Sequence, residues 1–275
     1  MIVDRLDDPG DPRLDEYLGL TDPERRRGRE SGQGLFIAEG RLVLERVVDT
    51  GLRLRSVMVL EPSLPAVTAV LDNRELPADG HEVPVYVVGP AVAERVTGYD
   101  VHRGILAAVD RPPRRDPWEL AASAATIVVL EDLTDQVNIG TVFRNAAALG
   151  GDAVLLSPGC GDPLYRRAVR VSMGAVVAIP FARVDRWPDA VARLGDEGFD
   201  TWALTPDPEA EPIVAPGPGR RVALVLGSEG PGLTEGARRK CRRRVRIAMA
   251  AGADSLNVAT AAAIALHVIR SSAGP

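Results

Sequence analysis

The chain has 275 residues with 33 basic and 38 acidic side chains, a formal net charge of −5. Apolar residues make up 45% and charged residues 26%, which supports a sizeable core and excludes a disordered, collagenous or disulfide-framework chain. The length suits one large domain or two modest ones, at about 150 residues per domain.

Residues 1–34 are rich in Pro, Gly and Asp and carry a basic run at Arg25, Arg26 and Arg27. They read as an N-terminal arm with one short helix around 23–29; the run suits either a phosphate contact or a solvated helix face. Order begins at Leu35. In 40–50 the apolar residues Leu42, Val43, Leu44, Val47 and Val48 have helical spacing. Gly51 follows where a helix end needs positive φ. Strands are expected at 56–60, 83–88 and 104–109, with helices at 65–71 and 91–96 between them. The alternation predicts a small α/β domain over 35–112.

Two adjacent prolines in RPPRRD (111–116) stiffen the chain and withhold donors, so a linker is expected over 113–120. The next domain, 121–275, opens on TIVVL (126–130), an uninterrupted apolar run suited to a strand covered on both faces. Helices are expected at 139–149, 165–172, 187–194, 233–239 and 255–269. Strands are expected at 153–156, 175–179, 201–204, 222–226 and 245–247. Repeated β-α units with helix-length crossovers predict a mostly parallel sheet with helices on both faces.

Ligands in such sheets bind beyond the carboxyl ends of the strands. Three such ends carry unusual residues. DQVNIGTVFR (135–144) offers Asn138 as a helix N-cap, Gly140 for close approach and Arg144. LGSEGPGL (226–233) packs three glycines around Glu229, a loop that brings backbone groups against a flat ligand. No GK[ST] follows, so it is not a P-loop. It is not a GxSxG elbow either, because Leu226 stands two residues before Ser228. IAMAAGADSLNV (247–258) offers Asp254 or Ser255 as a cap and Asn257 in the first turn of the closing helix.

Together, N-x-G-x-x-x-R, LVLGSEGPGL and I-x-M-x-x-G-x-x-SLNV resemble the three motifs of the SpoU (TrmH-type) branch of the SPOUT RNA methyltransferases. LFIAEGRLVLERVV (35–48) resembles the start of the L30e-like substrate-binding domain that often precedes that catalytic domain. The resemblance implies an α/β fold with a deep trefoil knot, S-adenosyl-L-methionine bound in a bent shape, a homodimer, and methylation of a ribose 2′-hydroxyl in RNA. It implies a cofactor pocket at Thr205, Gly227, Ile247 and Leu256, and catalytic positions at Asn138, Arg144, Glu229 and Asn257. rRNA is preferred to tRNA as the substrate, by analogy with L30e-like modules that read folded RNA. The family's IPM reads Ile247-Ala248-Met249 here, and Ala259 stands where serine is common; neither departure removes a catalytic position. A non-catalytic RNA-binding or assembly factor and a base methyltransferase are the alternatives.

The remaining signals are local. Residues 1–112 hold 14 basic and 20 acidic groups, and 113–275 hold 19 and 18, so the excess of acid lies in the first part. Residues 238–246 (RRKCRRRVR) carry seven basic side chains, suited either to RNA or to a solvated helix end. Cys241 within them reads as a small core residue. His102 and Arg103 suit a partner, RNA or domain-interface contact. His81 and His267 form no metal constellation, so no metal is expected. No run approaches ~18 uncharged apolar residues, so no membrane span is expected. Two thiols, Cys160 and Cys241, and an acidic N-terminus without a leader pattern imply a reduced, cytoplasmic protein.

Overall fold

The computed structural model describes residues 1–22, 32–72, 82–250 and 254–271. The chain forms two compact units, Met1–Pro113 with Leu164–Val177, and Arg114–Pro163 with Ala178–Pro275.

The first unit is built on a five-stranded sheet. Its elements are β1 (Ile2–Leu6), β2 (Leu35–Glu39), α1 (Arg41–Asp49), β3 (Leu54–Leu60), α2 (Leu64–Asp72), β4 (Pro84–Val88), α3 (Pro90–Thr97) and β5 (Ile105–Asp110). The strand order is β1-β4-β3-β5-β2. β4 pairs parallel with β1 and β3, and β5 pairs antiparallel with β3 and β2. The stripe expected on α1 is the one that packs, since Val43, Leu44, Val47 and Val48 are all buried. The chain leaves α1 through Gly51 at φ +69, a conformation that glycine adopts without Cβ strain.

The N-terminal segment departs from the expected arm. β1 pairs with β4 as an edge strand, and a 3-10 helix (Pro12–Tyr17) buries Leu14 and Tyr17. The Tyr17 hydroxyl lies 2.7 Å from Ser56 Oγ and accepts from the Ala108 amide at 3.3 Å, so the buried phenol is satisfied. Leu6, Leu14, Tyr17 and Leu20 enter one apolar cluster. Leu14, Tyr17 and Leu20 recur every three residues, the 3-10 period, but the run is too short and too interrupted by Pro, Gly and Asp to read as an element. The Arg25–Arg27 run, the helix expected around 23–29 and His81 lie outside the described residues.

The second unit begins at Arg114, and the second half of the expected linker over 113–120 is the start of a helix. In α4 (Pro117–Ser123) the Asp116 carboxylate caps the Trp118 and Glu119 amides at 2.7 and 3.1 Å. Then follow β6 (Thr126–Leu130), α5 (Gln136–Leu149) and β7 (Ala153–Leu156). Next is α6 (Arg166–Val171), in the segment grouped with the first unit, where Arg166 Nη1 and Arg170 Nη1 donate to the buried Glu39 carboxylate of β2 at 2.5 and 3.4 Å.

The strand expected at 175–179 is a one-turn helix, Ala175–Ala178, and the strand falls later, at β8 (Phe181–Arg183). Five apolar residues between Gly174 and Pro180 fit either structure, so the period cannot decide. The chain continues through α7 (Asp189–Asp196), β9 (Asp200–Leu204), β10 (Glu211–Pro212), β11 (Val222–Leu226), α8 (Glu235–Lys240), β12 (Arg243–Arg246) and α9 (Val258–Arg270).

The seven strands run in the order β10-β12-β9-β11-β6-β7-β8, and every pair is parallel. β11 is buried at all five positions, as its unbroken apolar sequence requires. One face packs on α4, α7 and α8 through Leu120, Val191, Leu194 and Ala237. α5 and α9 pack on each other and against β7 and β11. Among the described residues no helix is long and apolar enough to cross a membrane.

Candidate active site

A cavity of about 400 Å³ opens beyond the carboxyl ends of β9, β11 and β12, at the start of α9. Thr205, Gly227, Ile247 and Leu256 all line it, as do Glu229 and Asn257. It lies wholly within the second unit.

The wall after β11 is a loop folded tightly on itself. The Gly232 amide donates to the Ser228 carbonyl at 3.0 Å. A Cβ on Gly227 would sit 2.2 Å from the Gly232 carbonyl carbon and 2.3 Å from the Leu233 nitrogen. Only glycine fits that position.

Asn138 and Asn257 exchange the roles that their spacing suggests. The cap of α5 is Asp135, whose carboxylate accepts from the Asn138 amide at 2.8 Å. Asn138 therefore lies inside the first turn, buried, with its side chain free to reach elsewhere. The cap of α9 is Asn257 itself, whose Oδ1 accepts from the Ala259 and Thr260 amides at 3.0 and 3.2 Å. Asp254 and Ser255 do not cap it. A capping side chain has its oxygen fixed, so the other end of the amide points outward. Asn257 Nδ2 donates to Asn138 Oδ1 at 2.9 Å and to Glu229 Oε1 at 2.8 Å. One side chain thus joins all three motifs.

Arg144 stands apart from this cluster. It is exposed, and among the described residues it makes no hydrogen bond or ion pair. Asn138, Thr141 and Asn145 share one face of α5 at helical spacing, and Asn145 Nδ2 donates to the Ala259 carbonyl at 2.7 Å. Arg144, one residue earlier, flanks that face and points to solvent.

Two residues escaped sequence reading. Asn145 is one; its signal was the spacing from Asn138 along α5. Glu131 is the other, a carboxylate placed directly after an apolar strand. It is 1% exposed. Its amide donates to the Leu226 carbonyl at 2.8 Å, where the glycine loop starts. Its carboxylate accepts from the Thr234 amide at 2.8 Å and the Thr234 hydroxyl at 2.7 Å, where the loop ends, and also from Trp187 Nε1. One residue clamps both ends of the loop. Glu131→Gln would turn an amide NH₂ toward these donors. We expect a stability loss of about 1–3 kcal/mol, read as a lower urea midpoint at unchanged m-value.

Cys241 lies beside this carboxylate. Burial, reinforced by the Glu131 charge, pushes its thiol up to about 12. It stays neutral and is no nucleophile. Burial likewise raises Cys160. Among the described residues no group of His, Cys, Asp and Glu could hold a metal ion. His102 is exposed and pairs with Asp100 at 3.2 Å in the first unit.

The model of the SpoU rRNA methylase family matches residues 125–267, more than half of the chain and all three loops. The chain belongs to the SpoU rRNA methylase family. A tRNA/rRNA methyltransferase of Mycobacterium tuberculosis (strain ATCC 25618 / H37Rv), itself uncharacterized, is 43% identical over 270 residues, covering 94% of this chain and 89% of its own. Another from Mycolicibacterium vanbaalenii is 29% identical over 92% of this chain and 88% of that one. Among solved structures, an AdoMet-bound rRNA methyltransferase from Sinorhizobium meliloti has 25% identity and a TM-score of 0.77 over 96% of each chain. An RNA 2′-O-ribose methyltransferase has 26% identity and a TM-score of 0.78, over 98% of this chain and 99% of that one. The similarity to these proteins therefore runs through both units.

Proposed function

We propose that this chain transfers the methyl group of S-adenosylmethionine to a ribose 2′-hydroxyl of structured RNA, with rRNA preferred to tRNA. The observation that carries the reading is the Asn257 bridge. It ties buried Asn138 to Glu229, which lines a ligand-sized cavity, in a chain of the SpoU family.

The lining fits the cofactor. About 400 Å³ is within the range of small-molecule sites. The glycine loop presents backbone groups, and Leu204, Leu226 and Leu256 supply apolar contact for a flat base. S-adenosylmethionine supplies, when bound, a methyl group activated by a sulfonium. Thr205, Gly227, Ile247 and Leu256 would hold it.

The chain's own residues then do three things. They exclude water, align the ribose oxygen and assist a hydroxyl that is barely acidic at neutral pH. Arg144 is a poor base because its guanidinium stays protonated. Its planar fork suits a phosphate beside the target ribose and stabilises a developing alkoxide. A phosphate oxygen or water takes the proton. Asn138 and Glu229, tied by Asn257, orient the nucleotide.

The exposed Arg144 side chain is compatible with a site completed by RNA and by a second copy of the chain. A homodimer that covers the outer face of α9 would also bury Ile264, an exposed large apolar residue. A deep trefoil knot, in which the closing segment passes through a loop of the chain's own backbone, belongs to the same reading. The mixed sheet of the first unit, with helices between its strands, agrees with an L30e-like RNA-binding domain.

Labelled methyl transfer to RNA tests the reading. Arg144→Ala is expected to lower turnover about 10²–10³-fold, with cofactor affinity by calorimetry kept within twofold. Equal loss of both would remove Arg144 from the chemistry. No cofactor binding by wild-type protein would favour a non-catalytic RNA-binding role.

A further inference from the structure

The basic run at 238–246 is not absorbed by the methyl-transfer site. The C-terminal end of α8, the start of β12 and residues 209–211 enclose a second cavity, of about 460 Å³, in the second unit. Arg238, Arg239, Arg242, Arg243 and Arg244 line it, against Glu209, Glu211 and Glu235. Five guanidinium groups line the cleft against three carboxylates, while Asp200 and Asp207 reach Arg243 and Arg244 only at 3.9 and 3.7 Å.

The carboxylates present do not saturate these arginines. Glu235 is shared between Arg238 at 2.9 Å and Arg239 at 3.6 Å. Arg244 reaches Asp207 only at 3.7 Å. Arg242 Nη2 donates to the Gly195 carbonyl at 2.6 Å, and among the described residues no carboxylate lies within ion-pair reach of it. Arg243 is the well-held member, with Glu211 at 2.6 Å and its guanidinium 5.1 Å from the Trp202 ring centroid. Exposed pairs of this kind are worth about 0–1 kcal/mol, so an incoming phosphate exchanges with them at little cost. A guanidinium fork also pairs bidentately with phosphate.

We propose that this arginine cleft docks the phosphodiester backbone of the substrate RNA, away from the reacting nucleotide. The inference rests on the methyl-transfer reading above. β12 links the two places: it starts in the cleft at Arg243, and Ile247, directly after its end, lines the first cavity. Four strand residues span about 13 Å. That spacing is small beside a folded RNA, so one RNA can reach both places.

The test uses the full chain and the double variant Arg239→Ala/Arg244→Ala. These side chains are 73% and 54% exposed and make only long ion pairs, so folding depends little on them. The probes are deproteinised ribosomal RNA from cells lacking the gene and, separately, bulk tRNA. RNA affinity is measured across a salt series. The double variant is expected to bind rRNA about tenfold more weakly at low salt, with the slope of log K against log[salt] reduced by about 2. KM for RNA rises while kcat and cofactor affinity hold. Arg239→Lys/Arg244→Lys restores the slope, since the phosphate term follows charge. Wild-type slope and affinity in the alanine variant, alongside wild-type methyl transfer, would overturn the cleft assignment alone. Wild-type protein that neither binds nor methylates either RNA would overturn the functional reading and the cleft with it.

Discussion

Gly227→Ala is expected to weaken cofactor binding about 100-fold in a protein that still folds. The added methyl would lie 2.2 Å from the Gly232 carbonyl carbon, and both neighbours within 2.5 Å are backbone atoms of the same loop. Backbone cannot rotate away as a side-chain tip can. The loop between Leu226 and Thr234 must open, although Glu131 clamps both of its ends. Overpacking of this kind costs about 1–3 kcal/mol of stability. The larger effect falls on the ligand, because this loop is one wall of the 400 Å³ cavity. Calorimetry should show S-adenosylmethionine affinity reduced by about 100-fold, close to 3 kcal/mol. Far-ultraviolet circular dichroism should stay native. Tight binding by the variant would mean that the cofactor sits elsewhere.

Asn257→Ala tests the junction of the three loops. Three losses coincide. The amides of Ala259 and Thr260 lose their cap, worth about 1 kcal/mol. Buried Asn138 loses the donor to its Oδ1, worth about 1–3 kcal/mol. Glu229 loses its tether. The two asparagines are in contact, so Asn138→Ala and Asn257→Ala should not be additive. The double variant is expected to be no more than about 1 kcal/mol worse than Asn257→Ala, read by chemical unfolding. Turnover should fall by about 10²-fold or more, as for the loss of a group that orients reacting partners. Full additivity would show that the bridge does not couple the loops. Asn257→Asp keeps the cap but sets a carboxylate against Asn138 Oδ1 and Glu229, so it should recover only the cap's share of the stability and little of the activity.

Much of the second unit was legible because its strands declare themselves. VALVL is apolar at every position and TIVVL at all but Thr126, and their β-branched content and short length favour a strand covered on both faces. The glycine loop was legible because unusual residues follow a buried strand. The division of labour between the two asparagines was not. Asp135 and Asn138 both suit an N-cap, as do Asp254, Ser255 and Asn257, and propensity cannot rank neighbours three residues apart. Glu131 was hidden for a different reason. A lone carboxylate after a strand looks exposed until tertiary structure brings Thr234 and Trp187 to it. In the first unit, β1 was missed because two of its five residues, Asp4 and Arg5, are charged and its partner β4 lies about 80 residues away.

The most direct measurement is a map of ribose methylation in total RNA from cells with and without the gene. One 2′-O-methyl nucleotide should disappear from rRNA when the gene is removed and return with the wild-type chain but not with Arg144→Ala. A methyl group lost from a base instead, or no change in any RNA, would contradict the account.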